Sequence, residues 1–386
     1  MARIAVISKY PPIEGGISSK TFWLSTALAE HGHEIHVVTD RIGLAPEYSL
    51  QPYEDINDTK NLFVHRASTE LPWHIPNNNH SDLDLLNTAV QVIKETNTDV
   101  IDMGYLIPYG IVAYLASEMT NVPFVLRHGG SDIQKFLNTG AFSGLLKAAF
   151  QKASLVITDQ RNNSTICQLS DRVIVIPPYI PNPYFFKPSS EVQTGKPILA
   201  LIGKTNYHWR HKGWHRAVSI MKLLKDEFRF MIVSQGIGFE DFKRYVEETI
   251  NDTSFTWRSF VHPLQMPGLI NTVVGVFALF EELPFPAFSN LALETLYCGK
   301  AIITDHPDIL QFYENEGVNI KPFSLKIIQI PTKGSEQSAS IISDYFRRCV
   351  QTTEILAGYG NNYQSHIDLN EKAILSVYKK NSQFIK

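Results

Sequence analysis

Short apolar runs rich in Val and Ile recur along the chain, and between them the apolar positions fall at helical spacing. Residues 3–8 (RIAVIS) are the first run, bounded by Pro11 and Pro12. A loop at Gly15 and Gly16 follows. Ser18 or Ser19 is expected to cap a helix whose apolar positions are Phe22, Leu24, Ala27 and Leu28. Gly32 stops that helix, and residues 34–40 (EIHVVTD) read as the next strand. Strand, helix and strand in this order predict a βαβ unit, which closes a parallel sheet by a right-handed crossover. Further strands are predicted at 61–66, 99–103, 123–128, 154–159 and 172–177, with helices over DLDLLNTAVQVIKETN and from Tyr109 onward. Runs that are apolar on both faces belong to a sheet covered by helices on both sides.

Around 181–197 the texture changes to a stretch rich in Pro, Ser and Gly, read as a hinge. A second strand series then begins at 197–203, 228–234, 254–260, 273–280 and 300–305, again alternating with helices. From about 336 the pattern is mainly helical, broken at Gly358 and Gly360. The expected organisation is one Rossmann-like α/β domain over 1–185, a hinge at 186–197, a second such domain over 198–340, and a helical tail over 341–386 able to pack back on the first. The length of 386 residues agrees, since a single core stops growing near roughly 250.

Composition narrows the function classes. The formal net charge is -3, from 35 basic and 38 acidic residues, which speaks against a partner held by its nucleic-acid phosphates. Residues 1–185 carry 13 Lys and Arg against 18 Asp and Glu, a balance of −5, so the remainder stands at +2 and is the better host for an anion. Cys167, Cys298 and Cys349 lie too far apart for a disulfide framework or a thiolate metal site, which suggests a reduced, cytoplasmic setting. The opening residues read as a buried strand and not a signal peptide, and no apolar run is long enough to span a bilayer. At most, a loose attachment to the inner face of a membrane is expected. The stretch AFSGLLKAAFQKAS is amphipathic, but its Leu145, Leu146 and Phe150 are expected to pack on the sheet.

Two segments carry candidate chemistry. In LIGKTNYHWRHKGWHRAV, Gly203 permits a sharp turn where a strand ends, and Lys204, Arg210 and Lys212 follow at the edge where open α/β sheets bind ligands. A diphosphate there would meet cations and helix N-terminal amides together, although the same side chains suit a solvated loop. His208, His211 and His215 have no common metal-ligand spacing and no carboxylate among them, so they read as surface histidines. In EELPFPAFSNLALETLYCGKAIITD, Pro284 and Pro286 keep a loop extended and Ser289 or Asn290 can cap a helix. The amides of Phe288, Ser289, Asn290 and Leu291 would face an anion. Glu294, in the first turns, can accept two hydrogen bonds from a vicinal diol such as ribose, or it can merely complement the helix dipole.

Four segments in this order resemble the retaining, nucleotide-sugar-dependent family 4 glycosyltransferases of GT-B fold. They are PPIEGGISSKTFWLSTALAEHGHEIHVVTD, DVIDMGYLIPYGIVAYLASEMTNVPFVLRHGGSDI, IGKTNYHWRHKG and PFPAFSNLALETLYCGKAIITD. The resemblance implies two Rossmann-like doubly wound domains facing a cleft, with the acceptor on the first and the nucleotide-diphosphate sugar on the second. It implies no metal and no cofactor beyond the donor, and a glycan or other hydroxyl compound as acceptor. Residue by residue, Gly15 and Gly16 match the glycine loop at the transferred sugar and diphosphate. Lys212 matches the Lys of the family's K-G pair, and Lys204 stands where an Arg is usual, both holding the diphosphate. Glu294 matches the second Glu of the E-x7-E motif and would bind ribose. His128 resembles the His near the sugar hydroxyl, with Asp132 as its partner, although an extra glycine separates His128 from Ser131 and Asp132.

The first Glu of E-x7-E is replaced by Pro286, which cannot touch the donor sugar, and Glu281 or Glu282 would have to reach in from the preceding turn. Lys204 keeps the charge of an Arg without its bidentate fork. Trp73 and His74, in the stretch 65–80, offer a ring face and polar groups for an acceptor sugar, or form an ordinary surface loop. Two further readings stay open: a non-catalytic nucleotide-sugar-binding subunit, favoured by Pro286, and another two-domain enzyme such as an epimerase or oxidoreductase. The last lacks a G-x-G-x-x-G fingerprint after either leading strand.

Overall fold

The computed structural model describes residues 1–50, 53, 58–68, 81–137, 140, 142–189, 195–206, 209–250, 255–280, 288–348 and 360–382. Trp73 and His74, His208, Glu281, Glu282, Pro284, Pro286 and Cys349 lie outside them. By contact, Met1–Pro178 with Gln364–Lys386 form one compact unit and Tyr179–Tyr363 the other.

The first unit runs β1 (Arg3–Ile7), α1 (Gly16–Glu30), β2 (Glu34–Thr39), β3 (Leu62–Arg66), α2 (Ser81–Thr96), β4 (Val100–Met103), α3 (Ile111–Thr120), β5 (Phe124–Arg127), α4 (Ser143–Lys152), β6 (Leu155–Thr158), α5 (Asn163–Ile166) and β7 (Val173–Val175). Its seven strands are parallel, in the order β3-β2-β1-β4-β5-β6-β7. The order reverses between β1 and β4, so the loops leaving their carboxyl ends flank the crevice where such sheets take ligands. Burial follows position. Ile4 to Ile7 of β1 and all of β4 are buried, because helices cover both faces of the central strands, while Phe63 on the edge strand β3 is 47% exposed.

The second unit runs β8 (Ile198–Ile202), α6 (Trp214–Leu224), β9 (Arg229–Val233), α7 (Phe239–Ile250), β10 (Phe255–Arg258), α8 (Met266–Asn271), β11 (Gly275–Phe277), α9 (Asn290–Tyr297), β12 (Ala301–Thr304), α10 (Ile309–Asn315), β13 (Ile327–Gln329) and α11 (Ser335–Arg348). Its six strands are parallel in the order β10-β9-β8-β11-β12-β13, with the reversal between β8 and β11. Helix α7 shows how the layers are built: Phe242, Val246 and Ile250, spaced four apart, are buried while the acidic and basic residues between them stay out. The last helix, α12 (Gly360–Ser382), lies for most of its length in the first unit.

Two local expectations are corrected. Helix α1 begins at Gly16, so Ser18 and Ser19 lie inside it and neither caps it. Gly15 is the N-cap, with φ 117°, a left-handed-side value open to glycine, and its carbonyl accepts the Ser19 amide at 3.0 Å. In α4, Leu146 and Phe150 pack inward but Leu145 is 49% exposed, since adjacent helical residues point about 100° apart. The helix expected from Tyr109 is present: a π-helical turn over Leu106–Gly110 runs directly into α3, and Tyr109 within it is buried with its hydroxyl donating to Asp40. Strand β13 has no counterpart among the predicted strands; three residues are too few to carry a period.

Candidate functional site

In the second unit β8 and β11 are adjacent and parallel, so the segments leaving their carboxyl ends emerge beside each other. The segment after β8 is clamped to the loop after β9. Gly203 and Thr205 amides donate to Val233 and Gln235 carbonyls at 3.0 Å each, and Ser234 Oγ donates to Gly203 O at 2.8 Å. Beyond it, Trp209 and Trp214 both pack against Phe242 with ring centres 4.9 Å apart. A Cβ at Gly203 would lie 2.9 Å from the Trp214 ring, so only glycine lets the chain turn there. Gly213, at φ 66°, starts α6 with its Cα tight against Leu279, where an added Cβ would sit at 3.1 Å.

This frame brings Lys204 and Lys212 together: Lys212 Nζ donates to the Lys204 carbonyl at 2.6 Å and lies 5.4 Å from the centre of the Trp214 ring. Arg210 is directed elsewhere. It stacks on Trp209 at 4.2 Å and lies 3.6 Å from the Asp241 carboxylate, which also accepts from Trp209 Nε1. His211 is exposed and His215 lies on α6.

After β11, Ser289 caps α9: its hydroxyl accepts the Ala292 amide at 3.2 Å, and its carbonyl accepts the Tyr313 hydroxyl at 2.9 Å. Phe288 meets the Tyr313 ring edge-on at 5.0 Å, which fixes the entry to the helix that Asn290 and Leu291 begin. Glu294 is buried and accepts the Tyr179 hydroxyl at 2.9 Å. Burial pushes its carboxyl up to about 7, with the Tyr179 bond opposing. Tyr179 is pushed well above its ordinary range by burial and by Glu294. Tyr179 stands in the Pro-rich stretch PPYIPNPY, where no periodicity marks a partner for a helix that begins more than a hundred residues later.

The first unit places its expected residues at the same kind of edge. Beside the Gly15–Gly16 turn, the loops after β1 and β4 touch closely: a Cβ at Gly104 would lie 2.1 Å from Ser8 Oγ, and that hydroxyl bonds Thr21 Oγ1 at 2.8 Å. His128 follows β5. Its Nδ1 accepts the Gly130 amide at 3.0 Å, which leaves the ring proton on Nε2 to donate to Thr158 Oγ1 at 2.7 Å. Burial lowers its pKa, against the pull of Asp159 and Asp132, so the ring is neutral with both nitrogens engaged. Asp132 is buried and accepts backbone amides of Gly129, Leu106 and Ile133 at 2.9–3.1 Å, tying the loop after β5 to the turn after β4. Its oxygens are thus committed to the backbone. Asp159, which accepts the Asn162 amide at 2.9 Å, was not foreseen and lies beside this loop, 3.6 Å from where a Cβ on Gly130 would stand.

Among the described residues, His31, Asp368 and Glu371 are a group whose ligand atoms lie close enough, within 4.8 Å, to share a cation. Their bonding fits a clamp better. His31 Nδ1 and His33 Nε2 bond the two Glu371 oxygens at 2.7 and 3.0 Å, and Asp368 Oδ1 accepts from Gln364 Nε2 at 2.8 Å.

Two doubly wound parallel-sheet units, each with a glycine-led turn at its point of strand-order reversal, define the class: the chain has the GT-B fold, and it resembles the family 4 glycosyltransferases. Residues 18–160 match the family described as "Glycosyl transferase 4-like". N-acetyl-alpha-D-glucosaminyl L-malate synthase of Bacillus anthracis is 26% identical over 152 residues, which is 39% of this chain and only 37% of that enzyme. Among solved structures, sucrose-phosphate synthase from Thermosynechococcus elongatus superposes with a TM-score of 0.67 at 16% identity, covering 100% of this chain and 99% of that one. Anabaena HepE in complex with UDP and glucose does so with 0.63 at 14% identity, covering 99% and 98%. Among the described residues, no helix is long and apolar enough to cross a membrane.

Proposed function

We propose that the chain transfers a sugar from a nucleotide-diphosphate donor to a hydroxyl of a glycan or other small acceptor, with retention and without a metal. The observation that carries this reading is the Lys212 ammonium held on the Lys204 backbone carbonyl after β8, on the strand next to the one that leads to the Ser289-capped α9 and its Glu294. In the reaction, the bond from the anomeric carbon to the diphosphate oxygen breaks and the acceptor oxygen takes its place, its proton passing to a phosphate oxygen. Negative charge grows on the leaving diphosphate, and Lys204, Lys212 and the first amides of α9 stabilise it, which is the main catalytic contribution. Glu294 binds the ribose hydroxyls, and Gly15 and Gly16 let the backbone approach the transferred sugar. His128 and Asp132 shape the acceptor side through the loop they hold.

HepE is described in complex with UDP and glucose, which makes UDP-sugars the first donors to try. A thermal-shift panel of UDP, GDP, ADP and dTDP identifies the base, since a ligand bound only by the folded state raises Tm by mass action. With the donor so chosen, Lys212→Ala is expected to lower turnover about 10²-fold while leaving the fold intact. Turnover within a factor of two of the parent rejects the electrostatic role. Pro286 in place of the first Glu of E-x7-E favours a second reading, a subunit that binds nucleotide sugar without transferring it. Donor hydrolysis or transfer by the purified chain alone removes that reading.

A further inference from the structure

At the end of β5, Arg127 spreads its guanidinium between the sheet and α12. Its Nε donates to the buried Asp102 carboxylate at 2.6 Å, and its Nη1 donates to Asn370 Oδ1 at 2.6 Å. The second bond fixes the Asn370 amide, whose nitrogen therefore faces His366: Nδ2 donates to the His366 carbonyl at 2.8 Å and lies 3.5 Å from His366 Nε2. Only a donor faces Nε2, so the imidazole proton sits on Nδ1. His366 Nδ1 and Arg127 Nη2 are both buried, and neither has an acceptor among the described residues. Two N–H donors, one of them charged, thus flank Asn370 with no acceptor among the described residues. Such a group left alone costs about 1–3 kcal/mol, more when charged, so these two donors call for a ligand.

The charges that act on His366 are positive. Burial pushes His366 down to about 3, and Arg127 and Lys20 push the same way, so the ring stays neutral in a positive field. Lys20 lies on α1 and adds to the positive field at His366. Its neighbour Ile17, one turn back on the same face, lies against the loop after β5, 2.9 Å from where a Cβ on Gly129 would stand. Burial pushes Lys20 down to about 8, with Asp159 and Asp132 opposing and Arg161 and Arg127 adding to the shift. Asp102 is spent on Arg127, and Asp132 is spent on backbone amides.

We propose that Arg127 Nη2 and His366 Nδ1 form a binding site for an oxyanion: the phosphate or carboxylate group of a small ligand. All of its residues belong to the first unit, and it does not depend on the glycosyl-transfer reading. Because His366 and Asn370 come from α12 and Arg127 from β5, a bound oxyanion also ties the final helix to the sheet.

Melting of the purified chain in orthophosphate, acetate or chloride, at equal ionic strength and about pH 7, tests the site. The wild-type chain is expected to gain about 5 °C in the phosphate or the acetate arm over chloride at a hundredfold excess over Kd, and the arm that gains more names the group. His366→Phe keeps a ring of similar shape and removes the Nδ1 donor. In chloride it should melt at or above the wild type, because an orphaned donor is gone, and its oxyanion-dependent gain should fall by more than half. A measurement on the wild-type chain alone guards against a misfolded variant: the His366 ring N–H resonance should move on titration with the stabilising anion. Equal melting in all three salts, an undiminished gain in a folded His366→Phe chain, or an unmoved resonance overturns the site.

Discussion

The single residue with the widest reach is Glu294. Its carboxyl, ordinarily near 4.5, is raised to about 7 by burial, and the hydroxyl of Tyr179 is the hydrogen bond that partly offsets this. Below pH 4.5 folded and unfolded chains are both protonated at this position, and the group costs no stability. Between pH 4.5 and about 7 the unfolded chain gives up its proton and the folded chain keeps it, so stability falls as pH rises and the loss is complete above about 7. The difference is worth about 3 kcal/mol. Glu294→Gln, which can still accept from Tyr179, should flatten the stability profile across that window, as read by urea denaturation at pH 5 and pH 8. The type and position of Glu294 were legible in the sequence because a carboxylate sits at a fixed distance behind a cap signal. Its partner Tyr179 was not, since nothing local links a Pro-rich connection to a helix so far along the chain.

At the scale of elements, what matters is how a turn and a helix start are held at one sheet edge. Ser289 is the cap of α9, and its hydroxyl satisfies the Ala292 amide at 3.2 Å. Ser289→Ala should cost about 1 kcal/mol, whereas Ser289→Gly should cost only a few tenths, a contrast that urea denaturation resolves. That the cap would be Ser289 or Asn290 could be read from the sequence, because cap chemistry is local. The start of α1 could not be fixed the same way. Serines at 18 and 19 carry the cap composition, yet the helix begins at Gly16, because Gly15 at φ 117° already makes the turn that a capping side chain would otherwise hold. The arm from Gly203 to Gly213 lies between these cases. Its glycines signal sharp turns, but their need for an absent Cβ comes from Trp214 and Leu279, which arrive by tertiary packing.

For the whole molecule, the question is how the final helix is joined to the unit it belongs to by contact. Glu371 of α12 binds His31 Nδ1 and His33 Nε2, at the end of α1 and the start of β2. Partial burial pushes its carboxyl up, but the bonds from His33 and His31 outweigh this and hold it below the ordinary range. A depressed carboxyl contributes stability above its unfolded pKa and loses it as pH falls through the folded one. Glu371→Ala should therefore lower the amide-exchange protection of α12 at neutral pH, by about 1–2 kcal/mol after allowance for a side chain 24% exposed. The difference from the parent chain should shrink as the solution is acidified. Equal protection of α12 in both chains at neutral pH removes the clamp from the account.

By itself the sequence determined the alternation of strands and helices, the two parallel sheets and the edges where chemistry gathers, because each rests on period and on turn residues that act within a few positions. Lys204, Lys212 and Glu294 were singled out as candidates the same way, as charges just past a strand end or a cap. Tertiary structure decided who meets whom. It turned Arg210 onto Trp209 and Asp241, committed Asp132 to backbone amides, gave both His128 nitrogens to Gly130 and Thr158, and left Arg127 Nη2 and His366 Nδ1 without acceptors among the described residues. Those outcomes depend on contacts between residues distant in the chain, which sequence period does not encode and only packing can set.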